Sequence, residues 1–129
     1  MGNKASKGPA WEREFCRLLS EWWSRWLGGE VRDDLFWRTS NSGGRATVRG
    51  KKGKGTKGHY GDIAATCPEA EPFLKVFCPE LKRGYQGATI QDVLDRSNRS
   101  KPSIYEQWFE KAERDRRASG ALYWMLVVR

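Results

Sequence analysis

The chain has 129 residues, room for one compact domain, and its 38% apolar and 12% aromatic content excludes a globally disordered polymer. No apolar run approaches the roughly 20 residues that cross a bilayer, and the polar start MGNKASKGPA lacks the apolar stretch of a secretory signal. The net charge is +8 and unevenly placed: residues 36–61 hold seven basic side chains and no acidic one, while the rest is near balance, 17 basic to 16 acidic.

In chain order, residues 9–27 read as an amphipathic helix, with Trp11, Phe15, Leu18, Leu19, Trp22, Trp23 and Trp26 at helical spacing and Gly28-Gly29 as its stop. Residues 35–39 read as a first strand. Residues 40–61 hold seven of the 14 glycines and most of the basic excess, and predict a long loop. Its cations, Arg45, Arg49, Lys51, Lys52, Lys54 and Lys57, with Arg38 just before, suit a phosphate backbone or else a solvated loop. Residues 62–67 and 73–82 predict two further strands joined by the turn CPEAEP. A short helix over 89–96, capped by Thr89, precedes a charged helix from Pro102 or Ser103 to about Ala118, whose inner stripe is Ile104, Trp108 and Ala112. Gly120 ends it, and residues 121–128 form a last apolar strand. The order predicts one α/β domain over 1–129, with a central mixed sheet flanked by helices.

Three cysteines without CxxC spacing and a single histidine argue against a zinc site or a disulfide framework, so any metal here is held by oxygen. The third predicted strand ends Pro79-Glu80-Leu81-Lys82. Side chains alternate faces, so Glu80 and Lys82 project together. That spacing also suits a surface ion pair on a sheet edge, where Pro79 is at home. Asp62, just after a glycine, is either a turn cap or the partner of Glu80, beside which a hairpin from 62 to 82 brings it. Two converging carboxylates repel unless they share a cation, and oxygen ligands of this kind suit Mg²⁺. Lys82 then stands ready to orient or deprotonate an attacking water and to neutralise charge on a phosphate. Glu12 falls within the apolar sector of the first helix, where a carboxylate is costly unless paired or bound to metal, whereas Glu14 falls outside it.

Taken together, these residues resemble the archaeal-type Holliday junction resolvases, including phage-encoded relatives, of the PD-(D/E)XK nuclease superfamily. Lys7-Gly8-Pro9-Ala10-Trp11-Glu12-Arg13-Glu14 resembles the family's opening motif, whose first glutamate belongs to the active site. Arg38-Thr39-Ser40-Asn41-Ser42-Gly43-Gly44 resembles the stretch before a junction-touching loop, and Ser40 and Ser42 both remain open for its serine. Gly61-Asp62-Ile63 and Glu80-Leu81-Lys82 match the catalytic Asp and Glu-x-Lys, with Gly61 where proline is usual.

The resemblance implies a restriction-endonuclease-like fold and Mg²⁺, replaceable by Mn²⁺, held by Asp62, Glu80 and the Leu81 carbonyl. Glu12 assists at the ion directly or through a water, and Lys82 positions the nucleophile. It also implies a homodimer acting on four-way DNA junctions, with Arg38, Ser40, Ser42, the loop cations and Arg83 on the DNA. The expected setting is the cytoplasm of a prokaryotic cell or phage-infected host. Two alternatives stay open: a PD-(D/E)XK nuclease for duplex, flap or specific sites, and a non-catalytic DNA-binding protein.

Overall fold

The structure, a computed structural model, describes residues 7–39, 61–83, 89–95 and 101–129. Helix α1 spans Lys7–Leu27. Its inward side is built on one row of residues four apart: Glu12, Cys16, Ser20 and Ser24 are all buried, flanked by Trp11 and Leu19. The two serines of that row meet backbone. Ser20 Oγ donates to the Cys16 carbonyl (2.6 Å) and accepts the Phe36 amide (3.0 Å), and Ser24 Oγ accepts the Arg32 amide (3.0 Å). These bonds seat β1, Phe36–Arg38, directly against the helix. Leu18, Trp22 and Trp26 share the apolar spacing but stay exposed.

Strand β2, Ile63–Ala65, runs antiparallel to β1, pairing Phe36 with Ala65 and Arg38 with Ile63. The next residues depart from expectation. Instead of a turn and the start of a strand, Pro68–Ala70 forms a 3₁₀ turn and Glu71–Val76 forms helix α2. Pro68 and Pro72 stand in the first turns of these two elements, where proline's preset φ favours helix and its missing amide is no loss. The apolar run 73–82 is therefore split, and β3 is confined to Phe77–Lys82.

No hairpin joins β2 to β3. Instead β3 pairs in parallel with β4, Tyr123–Val128, setting Glu80 opposite Leu126 and Lys82 opposite Val128. Parallel strands need a long crossover, which includes α3 (Gln91–Leu94) and α4 (Ile104–Ser119). In place of the expected single central sheet, the described residues form two two-stranded sheets, one antiparallel and one parallel, in a mixed α/β arrangement with helices packed on them. Helix α3 is shorter than predicted and its capping is reversed, because the Asp92 carboxylate accepts the Thr89 amide (3.1 Å). Helix α4 starts as predicted. Ser103 Oγ accepts the Glu106 amide (3.3 Å), the Glu106 carboxylate accepts the Ser103 amide (2.6 Å), and Gly120 closes the helix at φ 79°.

Strand β3 lies between α1 and α4. Leu81 joins the core formed by Trp11, Cys16, Leu19, Leu35, Phe36 and Ile63. Phe73 of α2 gathers the aromatic part of that core, with ring centroids 5.5 Å from Phe36, 5.8 Å from Trp23 and 5.4 Å from Phe77. On the opposite face, Glu80 and Lys82 meet α4 through Lys111 and Trp108. Among the described residues no helix is long and apolar enough to cross a membrane.

The Ser20 hydroxyl is the acceptor of the fully buried Phe36 amide, and an unsatisfied buried donor costs roughly 1–3 kcal/mol. Ser20→Ala should therefore lower the urea midpoint by a corresponding amount. An unchanged midpoint would mean that β1 is not held by this hydroxyl.

Candidate active site

Asp62 sits at the seam between the two sheets. Its amide donates to the Pro79 carbonyl of β3 (3.1 Å), and its carbonyl accepts the amide of Thr39, just after β1 (2.9 Å). Its carboxylate Oδ2 accepts the Leu81 amide (2.6 Å). Residues 79 and 81 turn their backbone groups to the same edge of β3, so one aspartate supplies that edge with both a donor and an acceptor. Pro79 has no amide to offer there, and among the described residues its backbone faces the edge of β3 that has no strand partner, the edge Asp62 covers.

The approach is close. A Cβ on Gly61 would stand 2.9 Å from the Pro79 carbonyl oxygen and 3.0 Å from Cys78 Sγ, and Gly61 has φ 79°. Proline, whose ring holds φ near −65°, cannot adopt that conformation, which accounts for glycine before this aspartate. Thr39 Oγ1 donates to the Gly61 carbonyl (2.9 Å) and fixes the turn from the other side.

Glu80 is 1% exposed, on the face of β3 toward α4. Lys82 Nζ lies 3.3 Å from its Oε1, as the alternation of the strand predicts, and 5.9 Å from the centre of the Trp108 ring. Sequence reasoning missed a second cation. Lys111 of α4 reaches the same Oε1 at 2.7 Å and also contacts Asp115 Oδ2 at 3.0 Å. Lys111 is one charge among many in this helix, beside the inner stripe of Ile104, Trp108 and Ala112, and only the packing of α4 over β3 brings it to Glu80. Glu80 Oε2 is buried and has no hydrogen-bond partner among the described residues.

Glu12 is buried on α1, as its position in the apolar sector predicts, and its Oε2 accepts from Arg38 Nε at 2.7 Å. Arg38 thus lies at the carboxylates, engaged with Glu12. Glu14 lies off this row and pairs instead with Arg129, whose guanidinium stands over Trp11. Arg83 follows β3 and is exposed. Ser40, Ser42, Arg45, Arg49, Lys51, Lys52, Lys54 and Lys57 lie outside the described residues. A shallow groove lined by Glu21, Val31, Arg32, Asp33 and Asp34 lies toward the other end of α1 and takes no part in this constellation.

Electrostatics bind the acids into one unit. Burial first, then the charge of Glu80 and more weakly that of Glu12, push the Asp62 carboxyl up to about 7, while the Leu81 amide and Lys111 pull it down. The Cys16 thiol, one turn beyond Glu12, is pushed up to about 12 by burial and then by Glu12. Burial works against the charged form of Lys111, but its hydrogen bond and charge pairing with Glu80, then with Asp115, outweigh burial and raise its pKa.

A hard cation fits part of this arrangement. The Asp62 carboxyl is raised first by burial and then by its acidic neighbour Glu80, and Glu80 keeps a buried oxygen without a partner among the described residues; a divalent ion would offset the repulsion and partner that oxygen. Among the described residues no three His, Cys, Asp or Glu side chains form one ligand group. Such an ion would therefore complete its shell with backbone oxygen and water, as Mg²⁺ commonly does.

The raised Asp62 pKa sets a sign for pH dependence. The unfolded side chain loses its proton near 3.8, the folded one only near 7. Within that window the native state holds more protons, so this group's contribution falls as pH rises. In metal-free buffer, Asp62→Asn, which keeps an acceptor for the Leu81 amide, should gain stability relative to the parent between about pH 4.5 and about pH 7.5. Parallel urea-unfolding curves across that range would contradict the shift.

A family model described as "Phage putative PDDEXK endonuclease" matches residues 3–129. No curated protein and no protein of solved structure matches the chain.

Proposed function

The chain belongs to the phage PDDEXK endonuclease family, and from that premise we propose that it hydrolyses DNA phosphodiesters with Mg²⁺, or Mn²⁺ in its place, at Asp62, Glu80 and Lys82, with four-way junctions as substrate. The observation that carries the reading is the meeting of Asp62 with Glu80-Leu81-Lys82. One carboxylate is pinned to the Leu81 amide, the other is buried beside a lysine two residues on, and each perturbs or pairs with its neighbour.

Asp62, Glu80 and the Leu81 carbonyl would hold the ion, and Glu12 would act on it directly or through a water. Bound there, a divalent ion supplies a Lewis acid to the phosphate and lowers the pKa of water. The remaining work falls to the chain. Asp62 is kept in place by its two bonds to β3, so a ligand oxygen does not wander. Lys82 is held between Glu80 and the Trp108 face, where its ammonium can orient the attacking water and receive charge from the scissile phosphate. Arg38, Arg83 and the loop cations Arg45, Arg49, Lys51, Lys52, Lys54 and Lys57 would contact phosphates without reading bases, with Ser40 or Ser42 near the cleaved strand. A homodimer would set two such sites on opposed strands of a twofold-symmetric junction, in the cytoplasm of a prokaryotic or phage-infected cell.

A second reading draws on the Glu12–Arg38 and Glu80–Lys111 pairs, which would equally serve a non-catalytic DNA-binding protein whose acids only balance cations. Cleavage decides between them. The full chain incubated with labelled four-way junction and linear duplex should nick the junction symmetrically with Mg²⁺ and not with chelator. Asp62→Asn should lose roughly a hundredfold or more, since a metal's Lewis acidity is worth several kcal/mol. Equal cleavage of duplex would leave the nuclease and remove the junction preference. Tight binding without cleavage in any divalent ion would leave only the second reading.

The loop has its own test. Replacing Lys51, Lys52 and Lys54 by alanine should weaken binding and reduce the slope of log affinity against log salt by about 2–3, since each phosphate left unneutralised takes away about 0.9. An unchanged slope would take these lysines off the DNA.

A further inference from the structure

Two lysines converge on a single oxygen of Glu80. Lys82 Nζ is 3.3 Å and Lys111 Nζ 2.7 Å from Oε1, while Oε2, equally buried, has no hydrogen-bond partner among the described residues. A salt bridge serving stability alone gains by engaging both carboxylate oxygens. Here both cations crowd one oxygen and leave the other open.

The two lysines are not equivalent. Lys82 belongs to the same strand as Glu80 and lies against the Trp108 ring. Lys111 comes from α4 and already shares its ammonium with Asp115, one turn along the same helix, at 3.0 Å. Its side chain is 32% exposed and that of Asp115 18%, against 1% for Glu80. Moving wholly onto Asp115, which it already touches, keeps the ammonium paired and takes it away from the buried carboxylate toward the more exposed one.

A divalent ion on Glu80 would sit among like charges if both lysines stayed, and at a few ångströms in a low-dielectric setting that repulsion is large. Without an ion, the buried acids need a counter-charge, or the carboxylates repel and the seam at Asp62 loosens. One mobile cation meets both demands. We propose that Lys111 is the resident counter-cation of Glu80 in the metal-free protein, and that it withdraws onto Asp115 when a divalent ion binds at Glu80 and Asp62. Lys111 is thus a positioning residue that sets metal affinity, and Asp115 is its alternative seat. This rests on the metal reading of Asp62 and Glu80 given above.

The test uses the purified full chain, stripped of metal and then titrated with MgCl₂, with melting temperature and calorimetric heat as readouts. The parent, Lys111→Met, Asp115→Asn and Asp62→Asn proteins are compared. Lys111→Met should melt lower than the parent in chelator, gain more on adding Mg²⁺, and reach half-saturation at about five- to tenfold less Mg²⁺, an ordinary size for coupling between two bound groups. Asp115→Asn should move half-saturation the other way, by a few-fold, because Lys111 is then left to Glu80 alone. The opposed signs are the signature, since a merely structural salt bridge lowers melting in both variants without separating their Mg²⁺ midpoints.

Should Lys111→Met fail to fold in chelator, an upward midpoint shift in Asp115→Asn still carries the proposal, and its absence overturns it. A parent that responds to Mg²⁺ through Asp62, with Lys111→Met and Asp115→Asn midpoints equal to it or shifted the same way, overturns the exchange and leaves the metal site standing. A parent with no Mg²⁺ response overturns the metal reading and the exchange with it.

Discussion

Asp62 is bonded in three directions at once: its amide to β3, its carbonyl to the end of β1, and its carboxylate to the Leu81 amide. Among the described residues the antiparallel and parallel pairs share no ladder, and this residue supplies hydrogen bonds across their seam. A carboxylate at such a place is unusual as a structural device, because a backbone carbonyl would accept the same amide without a charge to bury. The aspartate brings charge where the architecture needs only an acceptor, and that surplus links the fold to the chemistry of the site.

Around it, the neighbouring acids are met by cations. Glu12 is met by Arg38, and Glu80 by Lys82 and Lys111, each contributed by a different element. Removing one partner of a buried pair costs more than the pair itself contributes, because the other charge is left stranded. The site is therefore sensitive to the packing of α1, β1 and α4 onto β3, and small displacements of any of them would be felt at the carboxylates. Close packing on the other face of β3, through Leu81 and the Phe73 cluster, limits such displacements.

The glycine before Asp62 and the serines of α1 serve the same end by different means. Gly61 lets two backbones approach to a separation that any Cβ would prevent. Ser20 and Ser24 let β1 and the segment before it lie on a helix while still bonding their amides. Both devices bring elements close, and the serines do so where β1 carries Arg38 to Glu12 of α1.

Much of this was legible in the residues alone. Helical periodicity marked α1 and α4, and Pro102 or Ser103 and then Gly120 marked the ends of α4, because such signals depend on near neighbours in the chain; the reciprocal Ser103–Glu106 bonds appeared only in the structure. The alternation of β3 placed Glu80 and Lys82 together for the same reason, and the apolar sector of α1 singled out Glu12 over Glu14. The boundary between α2 and β3 was not legible, since an apolar run suits helix and strand alike.

Partner choice between strands, the meeting of Arg38 with Glu12 and the inward turn of Lys111 arise only when segments tens of residues apart are packed together. Local sequence determined which side chains face one way on each helix or strand. Tertiary structure decided which of them meet, because burial and charge pairing are settled by distant neighbours that periodicity does not encode.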